Sequence, residues 1–173
     1  MNVFKVRDNA TLPEYATEGS ACFDVKACLT NGERVKGYDA WNKEIPILTK
    51  LKNIGGKKVS PTIQIPPETR VLIPTGLIFD IPENHVMEMM IRSSVATKRG
   101  LTLVNSIGII DSDYVDETHI IVHNISDTLV SVHDGDRLAQ CRLVKTKQTT
   151  LKETNTRPEK KTDRDGGIGS TGV

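Results

Sequence analysis

Short runs of β-branched and aliphatic residues, broken roughly every 8–12 residues by a turn signal, constrain this chain more than any other feature. Arg70–Phe79 reads as a strand, a break and a second strand. Further runs cover 86–91, 101–104, 106–110, 118–124, 129–132 and 138–144. Val, Ile and Thr together number 49, against 19 for Leu plus Ala. Side chains branched at Cβ are stiff at χ1 and suit a pleated surface. Eight Pro and thirteen Gly punctuate the chain too often for long helices. One helical turn is expected, over Ser93–Arg99, with Ser93 and Ser94 as capping candidates. The prediction is an all-β antiparallel sandwich, jelly roll or barrel.

A chain of 173 residues fits one core. We divide it into a β domain over 1–145, a polar linker over 146–163 and a Gly-rich end over 164–173. Inside the domain, 31–61 carries Gly32, Gly37, Gly55, Gly56, many lysines and the single Trp41, and reads as an excursion, a hairpin inserted between core strands. A linker and a Gly-rich end cannot bury much apolar surface, so this arm is expected to be mobile until something binds. The net charge of +1 gives no reason to expect a nucleic acid held by bulk charge. No apolar run approaches the ~20 residues of a membrane span, and Met1–Lys5 opens no signal peptide. Cys22, Cys28 and Cys141 are odd in number and lack a CxxC spacing, so neither a disulfide framework nor a cysteine zinc site is expected. The cytoplasm is the expected location.

Several stretches could carry chemistry. In Gly108–Tyr114, apolar residues run into Asp111, Asp113 and Tyr114, either as a polar turn with local hydrogen bonds or as a site. Asp24 sits in an apolar pattern, as a structural buried carboxylate or a functional one. Arg92-Ser93-Ser94 opens the helical turn and offers a guanidinium and two hydroxyls to an anion, or merely caps the helix. The Gly-rich end could wrap phosphates or be a tail; it lacks the Lys-Ser/Thr ending of a Walker loop. Asp136-Arg137 reads as a turn salt bridge. His119 and His123 alternate on one strand face with no third ligand nearby in sequence.

The order of these stretches resembles the trimeric all-β dUTPase family, deoxyuridine triphosphate nucleotidohydrolases. Ala16–Val25, Arg92–Ala96, Asn105–Tyr114, Gly135–Gln140 and the Gly-rich end are similar to that family's ordered motifs. The resemblance implies a distorted jelly-roll, or β-clip, dUTPase-like fold with the excursion and a mobile C-terminal arm. It implies hydrolysis of dUTP to dUMP and pyrophosphate with Mg²⁺. Asp111 would activate the attacking water, and Asp24 would hold the magnesium hydration shell through water. Arg92, Ser93, Ser94 and Gln140 would contact phosphates. Asn105, Gly108, Ile109, Ile110, Tyr114 and His119 would form the base and deoxyribose pocket. Arg164, Ile168, Gly169, Ser170 and Thr171 would close over the nucleotide, and a homotrimer would build each site from three chains.

Departures qualify this. Ile168 stands where the family usually has an aromatic that stacks on uracil, implying weaker closure by ~1 kcal/mol. Asp116 replaces a usual glycine, and the excursion has no counterpart in compact members. It is either a surface embellishment or a protein-partner element. Two alternatives share the fold: a dCTP deaminase or bifunctional deaminase–dUTPase, for which Glu117 is the acid to watch, and a dUTPase-like regulatory or binding protein acting through 31–61.

Overall fold

Alternation builds the architecture. Over His119–Asn124 every second residue, Ile120, Val122 and Asn124, is buried, while His119, Ile121 and His123 turn to the other face. Arg70–Pro74 pairs antiparallel with it and repeats the pattern, burying Val71 and Ile73 and turning Leu72 outward. The computed structural model describes residues 1–54, 56 and 58–163. Its strands are β1 (Asn2–Lys5), β2 (Glu14–Tyr15), β3 (Phe23–Lys26), β4 (Arg34–Tyr38), β5 (Glu44–Leu48), β6 (Lys50–Ile54), β7 (Lys58–Ile65) and β8 (Arg70–Pro74). They continue as β9 (Leu77–Asp80), β10 (His85–Ile91), β11 (Leu101–Leu103), β12 (Gly108–Ile110), β13 (His119–Asn124), β14 (Val130–His133) and β15 (Arg137–Lys145), with one helix, α1 (Ser93–Arg99), after β10.

Two five-stranded sheets dominate, ordered β12-β10-β15-β3-β2 and β11-β13-β8-β4-β5. Val25, Met87, Met89 and Ala139 from the first share one core with Val35, Val71, Ile73, Ile120 and Val122 from the second. Two antiparallel sheets sharing a core are the expected jelly-roll type. Among the described residues no helix is long and apolar enough to cross a membrane.

Two expectations need correction. The serines do not cap α1: Arg92 is the N-cap, in extended geometry, and no side chain caps the helix. Its carbonyl already accepts from the Val95 and Ala96 N–H groups, leaving Ser93 and Ser94 inside the first turn with exposed side chains. The stretch 31–61 is not a single hairpin laid on the surface. It forms the β4–β5 hairpin and most of the β6–β7 hairpin; β4 pairs with β8, and Val35 and Ile47 enter the core. Alternation in β4 explains this, because Val35 and Gly37 are buried between exposed Arg34 and Lys36. Trp41, at the β4–β5 turn, is 85% exposed. From 146 to 163 the chain is exposed and has neither strand nor helix.

The break between β8 and β9 joins the N-terminus to the core. Gly76 has φ +69°, and a Cβ there would lie 2.6 Å from Ala10 Cβ and 2.9 Å from Cys28 Sγ. Its carbonyl accepts from Val6 N at 2.9 Å. A left-handed backbone and this close approach both demand glycine. We expect Gly76→Ala to lower stability by about 2–4 kcal/mol in urea unfolding, from backbone strain plus overpacking; an unchanged midpoint would contradict this packing.

Candidate active site

A cavity of about 270 Å³ lies against the outward face of β8 and β13. Asn105, Gly108, Ile109, Ile110, Asp111, Tyr114 and His119, all singled out from sequence, line it. Leu72, Met89, Leu103, Thr118 and Ile121 join them and were missed. Leu72 and Ile121 had a signal: they pair in register as two apolar residues on the face opposite the core.

The hairpin that closes the cavity is set by local rules. Ser106 takes a left-handed φ of +61°, and the Tyr114 N–H donates to the Asp111 carbonyl at 3.2 Å, turning the chain back. Gly108 lets β12 lie close to β10: a Cβ there would stand 3.3 Å from Met89 Cβ. β12 is the edge of its sheet, so one side of its backbone is paired with β10 and the other is open. The Asp111 carboxylate is exposed, and among the described residues no hydrogen bond or ion pair engages it, so on this face it can accept from water. This removes the local-turn reading for its side chain. The Tyr114 hydroxyl donates to the Glu117 carbonyl at 3.0 Å; burial, then the charges of Asp116 and Glu117, push the phenol pKa up and keep it a donor.

A second group lies on β3, β15 and the start of α1. Asp24 is buried, and its two oxygens are bracketed by Arg92 Nε at 2.9 Å and Arg137 Nη1 at 3.1 Å. Gln140 sits directly opposite Asp24 in the β15–β3 register. Ser93 and Ser94 follow Arg92 with exposed hydroxyls. A carboxylate between two guanidiniums is well compensated and holds both cations in fixed geometry. Arg137 was missed as part of this group, having been read with Asp136. Asp136 instead accepts from Arg99 at 3.0 Å and from His133 N at 3.0 Å.

The two groups stand apart within the chain. Ile110 pairs with Met87 on β10, whereas Arg92 follows Ile91 at the far end of that strand. Five to six residues of strand put roughly 17–20 Å between Asp111 and Arg92. Arg164, Ile168, Gly169, Ser170 and Thr171, with the rest of the C-terminal arm, lie outside the described residues.

As a metal site, the Asp24 group offers one carboxylate and two cations. Among the described residues no three His, Cys, Asp or Glu side chains come together. Both Asp24 oxygens face guanidiniums, so the group offers a metal no direct ligand set, and a magnesium ion there would depend on phosphate oxygens and water. His119 Nδ1 donates to the Glu117 carbonyl at 2.9 Å, and His123 Nε2 faces Glu68 at 3.5 Å, so the two rings engage different neighbours. Glu117 is engaged by Arg7 at 2.8 Å and by the Gly76 N–H at 2.8 Å, so it is not a free proton shuttle.

The profile of the dUTPase family matches residues 58–172. A deoxyuridine 5'-triphosphate nucleotidohydrolase of Finegoldia magna is 34% identical over 167 residues, covering 96% of this chain and 94% of the relative. One of the same name from Hydrogenobaculum is 33% identical over 175 residues, covering 99% and 96%. Among solved structures, a variant of the Staphylococcus bacteriophage 80alpha dUTPase with dUpNHpp aligns at a TM-score of 0.73 and 20% identity, over 99% of this chain and 98% of that one. A variant of the phage phi11 dUTPase, described for its coordination of a structural Mg(II) ion, aligns at 0.66 and 20% identity, over 91% and 98%.

The bracketing of Asp24 yields a stability test. Asp24→Asn leaves two guanidiniums facing a neutral amide, and we expect a loss of about 1–3 kcal/mol in urea unfolding, moderated because Arg137 is half exposed. No loss would show that the arginines are held by other contacts.

Proposed function

We propose, for a chain that belongs to the dUTPase family and hydrolyses dUTP to dUMP and pyrophosphate, a site assembled across chains of a homotrimer. The Asp111 cavity of one chain would face the Asp24–Arg92–Arg137 group of another. The 17–20 Å along β10, roughly estimated from strand rise, supports this, because neither end of the strand reaches a phosphorus atom held at the other. The Gly-rich terminus follows an exposed linker, which suits a reach to a third chain.

The observation that carries the assignment is the Asp111 carboxylate at the wall of an apolar cavity, without a partner among the described residues. Asp111 would take a proton from a water placed in line with the α-phosphorus; a carboxylate without a competing partner suits that role. Arg92, Ser93, Ser94, Gln140 and Arg137 would bind phosphate oxygens, with Asp24 aiming the two guanidiniums. When bound, Mg²⁺ supplies positive charge to the phosphate chain, and Asp24 would hold its waters. Arg164, Gly169, Ser170 and Thr171 would close over the phosphates and exclude water, with Ile168 against the base.

Uracil would pair with the open backbone edge of β12. Cytosine exchanges an acceptor for a donor and leaves a buried group unpaired, which permits strong rejection. Thymine's methyl would press on the hairpin at Asn105–Tyr114, and Tyr114 would pack on the deoxyribose where a 2′-hydroxyl has no room. The deaminase alternative is not favoured, since Glu117 is committed to Arg7 and Gly76. For 31–61 the partner role stays a proposal carried by exposed Trp41. A cytoplasmic setting accords with this chemistry.

A chromatographic product assay over dUTP, dCTP, dTTP and UTP checks the reading. Only dUTP should yield its monophosphate and pyrophosphate, and Asp111→Asn should reduce kcat by about 10²–10⁴-fold while binding nucleotide as before. Normal turnover in that variant would remove Asp111 as the base.

A further inference from the structure

We propose that Arg7, distant from the cavity in sequence, is a positioning residue for the base pocket and acts on it through Glu117. The inference rests on the reading of the cavity as that pocket.

Arg7 lies just beyond β1 and holds three carboxylate contacts. Its Nε donates to Glu117 Oε1 at 2.8 Å and its Nη2 to Glu117 Oε2 at 3.2 Å, a two-pronged grip. Its Nη1 donates to Glu33 Oε1 at 2.6 Å. The three side chains are only 20–24% exposed, so one guanidinium is shared between two carboxylates in a partly desolvated place. Such an arrangement is costly to form and costly to break, because losing the cation leaves two carboxylates together.

Glu117 carries this anchoring to the cavity on its main chain. Its carbonyl accepts from the Tyr114 hydroxyl at 3.0 Å and from His119 Nδ1 at 2.9 Å. A carbonyl only accepts, so Nδ1 carries the hydrogen, and in the neutral ring Nε2 keeps its lone pair. One peptide group thereby sets the orientation of two cavity residues and the tautomer of one.

The peptide that carries the Glu117 carbonyl also carries the Thr118 N–H, and it is anchored there as well. The Thr118 N–H donates to the Leu77 carbonyl at 2.9 Å, and its carbonyl accepts from the Thr75 hydroxyl at 2.6 Å. The Glu117 carboxylate also accepts from the Gly76 N–H at 2.8 Å. The Thr118 bonds hold that peptide from its Thr118 side, and the Arg7 grip on the Glu117 carboxylate holds it from its Glu117 side. Glu33 itself lies in 31–61, so the same guanidinium ties that stretch to Glu117, and its second oxygen accepts from the Thr30 N–H at 3.1 Å.

The test compares wild type, Arg7→Ala, Arg7→Lys and Glu117→Gln by steady-state dUTP hydrolysis. Long-range ¹H–¹⁵N spectra of the His119 ring, with and without dUMP, run alongside. We expect Arg7→Ala to raise KM about tenfold with kcat within about twofold, and the His119 ring to leave the pure Nδ1–H form. Arg7→Lys, which keeps the charge and loses the fork, should recover part of the KM and of the spectrum. Unchanged KM and an unchanged ring signature in a folded Arg7→Ala would overturn the proposal. So would a KM rise with the ring signature intact, the mark of a purely structural role. Should Arg7→Ala fail to fold, Glu117→Gln gives the same readouts with shape preserved. If dUMP leaves the wild-type His119 signals unmoved, the pocket assignment itself fails; if dUMP moves them and the variants behave as wild type, only the role of Arg7 fails.

Discussion

Strand β10 is hydrogen-bonded along both edges, to β15 over seven residue pairs from His85 to Ile91 and to β12 over three. Both chemical groups of this chain are hung from that ladder. The β12 pairing fixes where the Asn105–Tyr114 hairpin leaves the sheet, and so where Asp111 stands. At the other end the strand runs directly into Arg92, whose N–H donates to the Leu138 carbonyl on β15 at 3.0 Å. β15 in turn aligns Gln140 with Asp24. A one-residue slip in either pairing would turn the set of side chains on that strand to the opposite face, so the buried Met87 and Met89 lock the register and the site with it.

The same spine separates the two groups. A rigid strand is a poor means of bringing its own ends together and a good means of presenting them to different neighbours. Among the described residues of a single chain, the Asp111 carboxylate stands without a partner toward one end of the strand, and two oriented guanidiniums stand at the other. It also gives the N-terminal segment a purpose beyond packing, since Arg7 reaches the return of the hairpin through Glu117 while Gly76 locks both.

Much of this was legible in the sequence. Period-two alternation in 118–124 and the short runs around it gave the strands, and Ser93–Arg99 gave the helix with its bounds. Gly108–Tyr114 was legible as an apolar run ending in acids and a tyrosine, and Asn105 and His119 joined it only through the resemblance to the dUTPase family. What failed was pairing across the chain. Asp136 and Arg137 are adjacent, yet they turn to different partners, Arg99 and Asp24, across an irregularity in the β15–β3 register that no local pattern announces. Asp24 is 113 residues from Arg137, and the Arg7–Glu117 contact spans 110. The excursion misled for another reason: its glycines and lysines mask a two-faced hairpin whose Val35 and Ile47 belong to the core.

The central claim is that hydrolysis draws on residues from more than one chain. Co-expression of differently tagged Asp111→Asn and Arg92→Ala chains, with tandem purification of mixed oligomers and measurement of pyrophosphate release from dUTP, addresses it directly. A shared site predicts that the purified mixed trimers recover roughly a third of the wild-type rate, because every 2:1 trimer holds one site in three with both intact residues, although each variant alone is inactive. A mixture no more active than its parts would contradict the account and place the whole reaction within one chain.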